Sequence, residues 1–215
     1  MLLLVTGASG AGKSTTRRLI AGDLAPETES VELGHVVSFP PVPTIAWRQQ
    51  ATETVVQRAV ALQAGGRHLL LAGDPVAAGE VVAAPSADKL DAVAACLLDV
   101  DPDVQTARLA RRGDDPRQLV DHVAFAQWMR GHARDPGHKP HVLSTNGWDA
   151  MRWDRLANLD PSNGGWAVHV VDTSGRSSEL VAQEVLAWCL AALSGQVPVM
   201  RAVSATLPAW TQSGR

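Results

Sequence analysis

The feature that most constrains this chain is a glycine-rich segment near its beginning, which reads Gly-Ala-Ser-Gly-Ala-Gly-Lys-Ser from residue 7 to residue 14. It follows an apolar run, Leu2–Thr6, and precedes a helix predicted over residues 15–24. The pattern G-x-x-x-x-G-K-[ST] between a strand and a helix is typical of a phosphate-binding loop, because glycines let successive backbone N–H groups turn inward around a polyphosphate. The alternative is an ordinary glycine-rich turn between a strand and a helix, which would not require every fixed position of this pattern.

The residues of this loop have distinct predicted contacts. Lys13 would place a positive charge at the transferred phosphate, and Ser14 would offer its hydroxyl to magnesium. The unpaired N–H groups at the start of the following helix favour an anion. The residues that we predict to hold the nucleotide here are Gly7, Ala8, Ser9, Gly10, Ala11, Gly12, Lys13, Ser14 and Thr15.

Length, charge and apolar pattern limit the kinds of partner. The 215 residues carry a formal net charge of -3 and no lysine-rich or arginine-rich run, which gives no general attraction to nucleic acid. No apolar stretch approaches the roughly 20 residues that cross a bilayer, and the surroundings of Cys96 and Cys189 are typical of reduced core cysteines. We expect a cytoplasmic protein, monomeric or homodimeric, with one domain over residues 1–193 and a C-terminal tail over residues 194–215.

Short apolar runs alternate with longer helical patterns, which predicts a mostly parallel sheet covered by helices. Strands are predicted over residues 2–6, 30–37, 67–72, 95–100 and 166–171. After the first helix, further helices are predicted over residues 44–64, 102–112, 116–134 and 178–193. Asp101-Pro102 and Asp115-Pro116 each combine a capping residue with a proline at the first helical position. The order of elements therefore favours an α/β fold.

Two consecutive segments after the fourth predicted strand carry a family resemblance. They read Cys-Leu-Leu-Asp-Val-Asp-Pro-Asp-Val over residues 96–104 and Arg-Leu-Ala-Arg-Arg-Gly over residues 108–113. Together with the phosphate loop, this passage resembles the strand-to-lid region of the adenylate kinase and gluconate kinase superfamily of small P-loop kinases. The resemblance implies a three-layer α/β/α P-loop NTPase fold with a five-stranded parallel sheet in the order 2-3-1-4-5. It also implies a small lid over ATP, with the lid and acceptor cap at roughly residues 108–160.

Arginines near the end of the predicted lid helix are candidates for nucleotide contact. Arg108 and Arg112 are four residues apart and share a helix face, and their planar forks suit both a base and phosphate oxygens. By the resemblance, Arg108 would lie against the adenine and Arg112 would reach the phosphates; a solvated basic helix face is the alternative. The turn after the fifth strand, with Thr173 and Gly175, would line the adenine through backbone groups, or serve only to start the next helix.

Acidic residues at strand ends are candidates for magnesium and acceptor contacts. Asp74 lies at the end of the third predicted strand, two residues after Ala72, and turn chemistry before Pro75 is the alternative explanation for it. The adenylate kinases carry their acid two positions earlier, where this chain has Ala72. Glu32 near the end of the second strand could orient the acceptor hydroxyl or assist magnesium, in a place where gluconate kinases carry an acidic pair. Ser14 and Asp74 are therefore the predicted metal ligands, and Lys13, Asp74, Glu32 and Arg112 the predicted catalytic residues.

The sequence specifies the predicted acceptor site less completely than it specifies the predicted nucleotide site. Glu32, His35, Arg48 and Asp74 are predicted to contact the acceptor, with an exposed loop histidine and an ordinary helix arginine as the alternatives for His35 and Arg48. We expect an ATP-dependent phosphotransferase that moves the γ-phosphate to a hydroxyl of a sugar-like metabolite, nucleoside or antibiotic. A nucleoside monophosphate kinase is the runner-up. A regulatory ATPase or nucleotide switch is the alternative of another class, but the chain has no Asn-Lys-x-Asp motif.

Overall fold

A five-stranded parallel sheet organises the structure, a computed structural model that describes residues 1–202. The strands are Leu2–Thr6 (β1), Thr28–Val31 (β2), His68–Ala72 (β3), Val93–Asp99 (β4) and Val168–Asp172 (β5). From edge to edge the order is β2-β3-β1-β4-β5, so the predicted fold class and strand order are confirmed. Residues 203–215, the last part of the predicted tail, lie outside the described residues.

Helices cover both faces of this sheet. They are Lys13–Leu24 (α1), Ile45–Gln63 (α2), Ala78–Ala83 (α3), Pro102–Arg112 (α4), Leu119–Arg134 (α5), His141–Ser144 (α6) and Ser178–Leu193 (α7). Helix α4 begins at the predicted Asp101 cap, whose side chain accepts hydrogen bonds from Asp103 N and Val104 N. It ends at Gly113 in the left-handed conformation. No helix in the described range 1–202 combines the length and apolarity needed to cross a membrane.

The central strand β1 shows why the sequence forms three layers. All five of its residues are buried, because it pairs with β3 on one side and β4 on the other. Alternate side chains point to opposite faces, so Leu2 and Leu4 pack with α2 and α3, while Leu3 and Val5 pack with α1 and α7. A continuous apolar run is what a strand buried on both faces of a parallel sheet requires.

The second strand is shorter than the sequence pattern indicates. We predicted residues 30–37, whereas β2 spans Thr28–Val31 and is followed by a single 3-10 turn, Leu33–His35. The Leu33 N–H donates to Asp74 Oδ2 at 2.6 Å, and the Glu32 N–H donates to His35 Nδ1 at 3.2 Å. These side chains take backbone groups that a longer strand would have paired with β3, and the chain turns toward the carboxyl edge of the sheet.

The segment from α5 to β5 packs on the same sheet face as α2 and α3. Helix α5 places Ala126, Trp128 and Met129 against Leu97 of β4. Farther along, the buried Arg155 side chain donates from Nη1 to the carbonyl of Ala84 at 2.6 Å, close to the end of α3. Helix α5 and Arg155, which both belong to the region predicted as lid and acceptor cap, therefore pack against the body of the domain.

Candidate nucleotide and acceptor site

The phosphate loop joins β1 to α1 at the carboxyl edge of the sheet. Gly7, Gly10 and Gly12 have φ angles of 151°, 82° and 100°, a range that residues with a Cβ rarely adopt. At Gly7 a Cβ would lie 2.5 Å from the carbonyl oxygen of Leu98 in β4, so the loop is pressed against that strand. The loop leads directly into the first turn of α1, whose N–H groups have no partner within the helix. This is the backbone shape that an anion site in the loop requires, and binding of a phosphate here stays a prediction.

Lys13 lies beneath this loop and is only 6% exposed. Its Nζ donates to the carbonyl oxygen of Ala8 at 2.9 Å. Burial lowers the pKa of Lys13 to about 8; Asp74 acts in the opposite direction, and the nearby Arg112 lowers it further. The oxygens of a bound phosphate would accept hydrogen bonds from this ammonium and so replace the water that it lost on burial, because phosphate oxygens are strong acceptors for a charged donor.

A cavity of about 410 Å³ opens above the loop. Ser14 and Thr15 at the start of α1 line it, as do Gly73 and Pro75 on either side of Asp74. On the opposite side it is lined by Arg108, Arg111, Arg112, Thr173 and Arg176. The cavity thus has the glycine-rich loop as its floor and an arginine-rich wall, and the two neighbours of Asp74 line its edge; we call the group of Glu32 and Asp74 beside it the acidic edge.

Arg108 connects two parts of that cavity. Its Nη1 donates to the carbonyl of Gly10 at 3.2 Å and to the hydroxyl of Thr173 at 3.0 Å, while Nη2 donates to the carbonyl of Thr173 at 2.7 Å. The Thr173 hydroxyl in turn donates to the carbonyl of Asp99 at the end of β4. The guanidinium therefore fastens the phosphate loop to the turn between β5 and α7.

The other predicted nucleotide residues occupy different surroundings. Arg112 lines the cavity, but its Nε donates to Asp114 Oδ1 at 2.6 Å and its side chain is 57% exposed. Gly175 takes the left-handed conformation two residues after Thr173 and contributes no lining to the cavity. Arg108 is thus anchored in the wall, whereas Arg112 is itself exposed and bonds only to the neighbouring carboxylate of Asp114 among the described residues.

The acidic edge brings together residues that the sequence placed far apart. Asp74 accepts the Leu33 N–H, and burial raises the pKa of its carboxyl group despite this bond and the charge of Lys13. Glu32 accepts a hydrogen bond from Nε of Arg17 at 3.0 Å and packs on Gly73, where a Cβ would lie 2.5 Å from its carboxyl carbon. Glu32, Asp74 and Lys13 therefore form one charged group beside the phosphate cavity.

The remaining predicted acceptor residues are already engaged within the protein. His35 Nδ1 accepts the backbone N–H of Glu32. Arg48 binds the carboxylate of Glu80 through both Nε and Nη2, the latter at 2.8 Å from Oε1, and Glu80 is completely buried. Glu80 Oε2 also accepts the Ala77 N–H, which ties α2 to the start of α3 near the acidic edge.

Sequence reasoning missed two residues that hold the site. Arg17 lies one helical turn after Lys13 and on the same face of α1, a spacing that could have indicated its role. Gln105 of α4 is fully buried, and its Nε2 donates to the carbonyls of Ser9 at 2.9 Å and His122 at 3.2 Å. No short-range pattern around Gln105 signals that contact, because it forms only when α4 packs on the phosphate loop.

Comparisons with known proteins identify the architecture. The chain is similar in structure to a sugar kinase from Janibacter sp. HTCC2649, with a TM-score of 0.53 and 15% identity over 90% of this chain and 96% of that chain. It is also similar to a gluconokinase from Sinorhizobium meliloti 1021, with a TM-score of 0.53 and 14% identity over 90% and 93% of the two chains. No family model matches the sequence, and no curated protein matches it. At these identities the likeness establishes that the chain shares the fold of both proteins.

Proposed function

We propose that this chain is an ATP-dependent phosphotransferase that moves the γ-phosphate of ATP to a hydroxyl of a small molecule. The observation that carries the proposal is the buried Lys13, held between a glycine-rich phosphate loop and a pair of carboxylates, Glu32 and Asp74. The two solved structures of similar fold, named as a sugar kinase and a gluconokinase, are consistent with this chemistry. Transfer to an organic acceptor needs both a phosphate site and a group that orients the hydroxyl.

The nucleotide half of the cavity would hold ATP by its phosphates. Backbone N–H groups of the loop and the ammonium of Lys13 would bind the β- and γ-phosphate oxygens, and Arg112 would reach them after leaving Asp114. Arg108 would keep the loop and the turn at Thr173 at a fixed separation. In this proposal the adenine lies beside that turn. Pre-arranged donors of this kind stabilise the charge of the moving phosphoryl group.

The residues at the cavity fit a magnesium ion held mainly by the nucleotide. Ser14 lines the cavity and Asp74 lies between two residues that line it, so a hydroxyl and a carboxylate could each supply an oxygen. Within residues 1–202 there is no cluster of three or more acidic, histidine or cysteine ligands that would form an all-protein site. When bound, Mg²⁺ would neutralise phosphate charge and orient the γ-phosphate, which is its ordinary arrangement in such enzymes.

The acidic edge would orient the acceptor. The hydroxyl oxygen of the acceptor would form a bond to the γ-phosphorus of ATP. At the same time the bond from that phosphorus to the bridging oxygen would break, and this oxygen would leave as part of ADP. The hydroxyl proton would pass to the carboxylate of Asp74 or Glu32. Because Asp74 Oδ2 is occupied by the Leu33 N–H, Oδ1 is the oxygen of Asp74 that would accept it. Enclosure by the arginine wall would limit attack by water.

ADP formation with and without acceptors tests this proposal. The purified chain is incubated with ATP and Mg²⁺ alone and then with sugars, polyols, nucleosides, aminoglycosides and nucleoside monophosphates, and ADP and phosphorylated product are both measured. We expect slow hydrolysis alone and acceptor-dependent ADP formation with at least one hydroxyl compound. Turnover with monophosphates only would instead identify a nucleoside monophosphate kinase. Fast hydrolysis that no acceptor changes would identify an ATPase and refute the proposal.

A further inference from the structure

One face of helix α4 lies against the phosphate loop. At Gly10, whose φ angle is 82°, an added Cβ would lie 3.2 Å from Leu109 Cδ2 and 3.6 Å from Gln105 Cγ. Gln105 and Leu109 are one helical turn apart and therefore share this face. Ser9 and Gly10 line the nucleotide cavity, whereas Gln105 and Leu109 do not. The loop segment at these two residues therefore separates that face of α4 from the cavity.

The side-chain amide of Gln105 holds the carbonyl of Ser9. Gln105 is fully buried, and its Nε2 donates to the carbonyl of Ser9 at 2.9 Å and to the carbonyl of His122 in α5 at 3.2 Å. Both neighbours are acceptors, and only the NH₂ end of an amide donates, so these two bonds fix which way the amide faces. The Ser9 carbonyl is thereby directed toward α4.

The direction of the Ser9 carbonyl sets the direction of the next N–H. The peptide unit between Ser9 and Gly10 is trans, and in a planar trans peptide the C=O and the N–H point in opposite directions. Because the carbonyl points to Gln105, away from the cavity, the Gly10 N–H points to the cavity side. The described residues provide no backbone acceptor for this N–H. It is therefore available to an anion, as in other sites built from loop N–H groups.

The oxygen of the same amide indicates that packing alone does not explain Gln105. Its Oε1 is buried and has no hydrogen-bond partner among the described residues. A buried oxygen without a partner is unfavourable, and a methionine of similar length would fill the same space without one. The donor end of the amide, with its bonds to Ser9 and His122, is therefore the part of this side chain that benefits the protein.

We infer that Gln105 is a positioning residue for the phosphate loop, which turns the Gly10 N–H toward the phosphates of the nucleotide. The inference rests on the nucleotide half of the proposed function, because it needs a phosphate in the cavity. The bond to His122 makes this orientation depend on the packing of α5 as well as of α4. Loss of the amide should therefore weaken phosphate binding more than it weakens the fold.

Calorimetric titration with pyrophosphate tests this inference without an acceptor and without turnover. We expect Gln105→Met to raise the Kd for pyrophosphate at least about tenfold, which corresponds to one lost hydrogen bond to a charged group. Gln49→Met is the matched control and should leave this Kd unchanged. Gln49 is also fully buried, and its amide also bonds to two backbone groups, the Leu143 carbonyl and the Trp148 N–H.

The outcomes separate the inference from the proposed function. If the wild-type chain binds pyrophosphate, an unchanged Kd in Gln105→Met overturns the inference and leaves the proposed function standing. An equal rise in Gln49→Met also overturns it, because general loosening of the fold would then explain both variants. A wild-type chain that binds neither pyrophosphate nor ATP would refute the nucleotide site, and with it both proposals.

Nuclear magnetic resonance of the wild-type chain gives a second test that needs no substitution. In a ¹⁵N-labelled sample the amide proton resonance of Gly10 should move downfield when pyrophosphate is added, because the N–H then donates to a charged oxygen. In Gln105→Met the same resonance should move less, and thermal melting checks that this variant is folded. A wild-type Gly10 resonance that stays in place while those of Gly12 and Lys13 move would overturn the inference.

Discussion

The phosphate loop takes its shape from the backbone of eight consecutive residues, whereas the acidic edge beside it is assembled from side chains on separate elements. In the loop, three glycines with positive φ angles and the start of α1 place the N–H groups, and Lys13 bonds to Ala8 in the same segment. At the acidic edge, Glu32 depends on Arg17 of α1, and Asp74 depends on the Leu33 N–H after β2. The shape of the loop therefore depends on one short segment, whereas the acidic edge depends on contacts between separate elements.

This difference predicts that substitutions in the phosphate loop and substitutions around the acidic edge have different effects. A change in the loop should remove ATP chemistry and leave folding almost intact, since the loop contributes little to the two apolar layers. A change in the ion pair of Arg48 and Glu80 on the acceptor side should affect folding, because the carboxylate of Glu80 is completely buried.

Replacing Lys13 with alanine should lower kcat/KM for ATP by about 10³-fold, because the charge opposite the transferred phosphate is lost. The fold should survive, since the removed ammonium is a buried charge that costs desolvation energy in the absence of ligand. Circular dichroism and thermal melting would check the fold, and ADP formation would check activity. Lys89→Ala, at an exposed lysine, is the matched control. Near-normal turnover by Lys13→Ala would refute the role assigned to the loop.

Replacing Arg48 with methionine should destabilise the protein by about 3 kcal/mol, because the completely buried carboxylate of Glu80 loses its cation. The same substitution at Arg58, which pairs with Glu29 while 46% exposed, should cost less than about 1 kcal/mol. Urea denaturation of both variants measures the difference. Equal losses in the free energy of unfolding would show that burial of the carboxylate does not determine how much each ion pair stabilises the fold. This result would contradict the difference drawn between the loop, which one segment forms, and the contacts that separate elements form.

The same contrast explains how much of the molecule the sequence could predict. The five strands, their order and the Asp101 cap follow from signals within short windows or from the family resemblance. Contacts that join residues 15, 32 and 96 positions apart, namely Arg17 with Glu32, Arg48 with Glu80, and Gln105 with Ser9, carry no such signal. They arise only when helices and strand ends meet, so the sequence could nominate Glu32 and Arg48 without identifying their partners.

Replacing Arg108 with methionine should raise KM for ATP about tenfold and change kcat much less. The fork of Arg108 bonds to both Gly10 and Thr173, so its loss would loosen the wall without removing the charge at the phosphate. Arg108→Lys is the informative second variant, because an ammonium keeps the charge but cannot reproduce the planar fork. Steady-state kinetics with ATP as the varied substrate gives both constants. Full recovery by lysine would show that charge alone accounts for the effect.

ATP affinity should weaken above neutral pH through Lys13. Burial lowers its pKa to about 8, so the empty site loses the ammonium proton as the pH rises through that value. ATP binds the charged form, and affinity should therefore fall about fourfold between pH 7 and pH 8.5, with a proton taken up on binding. Calorimetry in buffers of different ionisation enthalpy measures both quantities. Lys13→Arg, which stays charged throughout, should show neither effect. A wild-type affinity that stays constant to pH 9 would mean that the ammonium of the empty site is not held in the desolvated position beneath the loop.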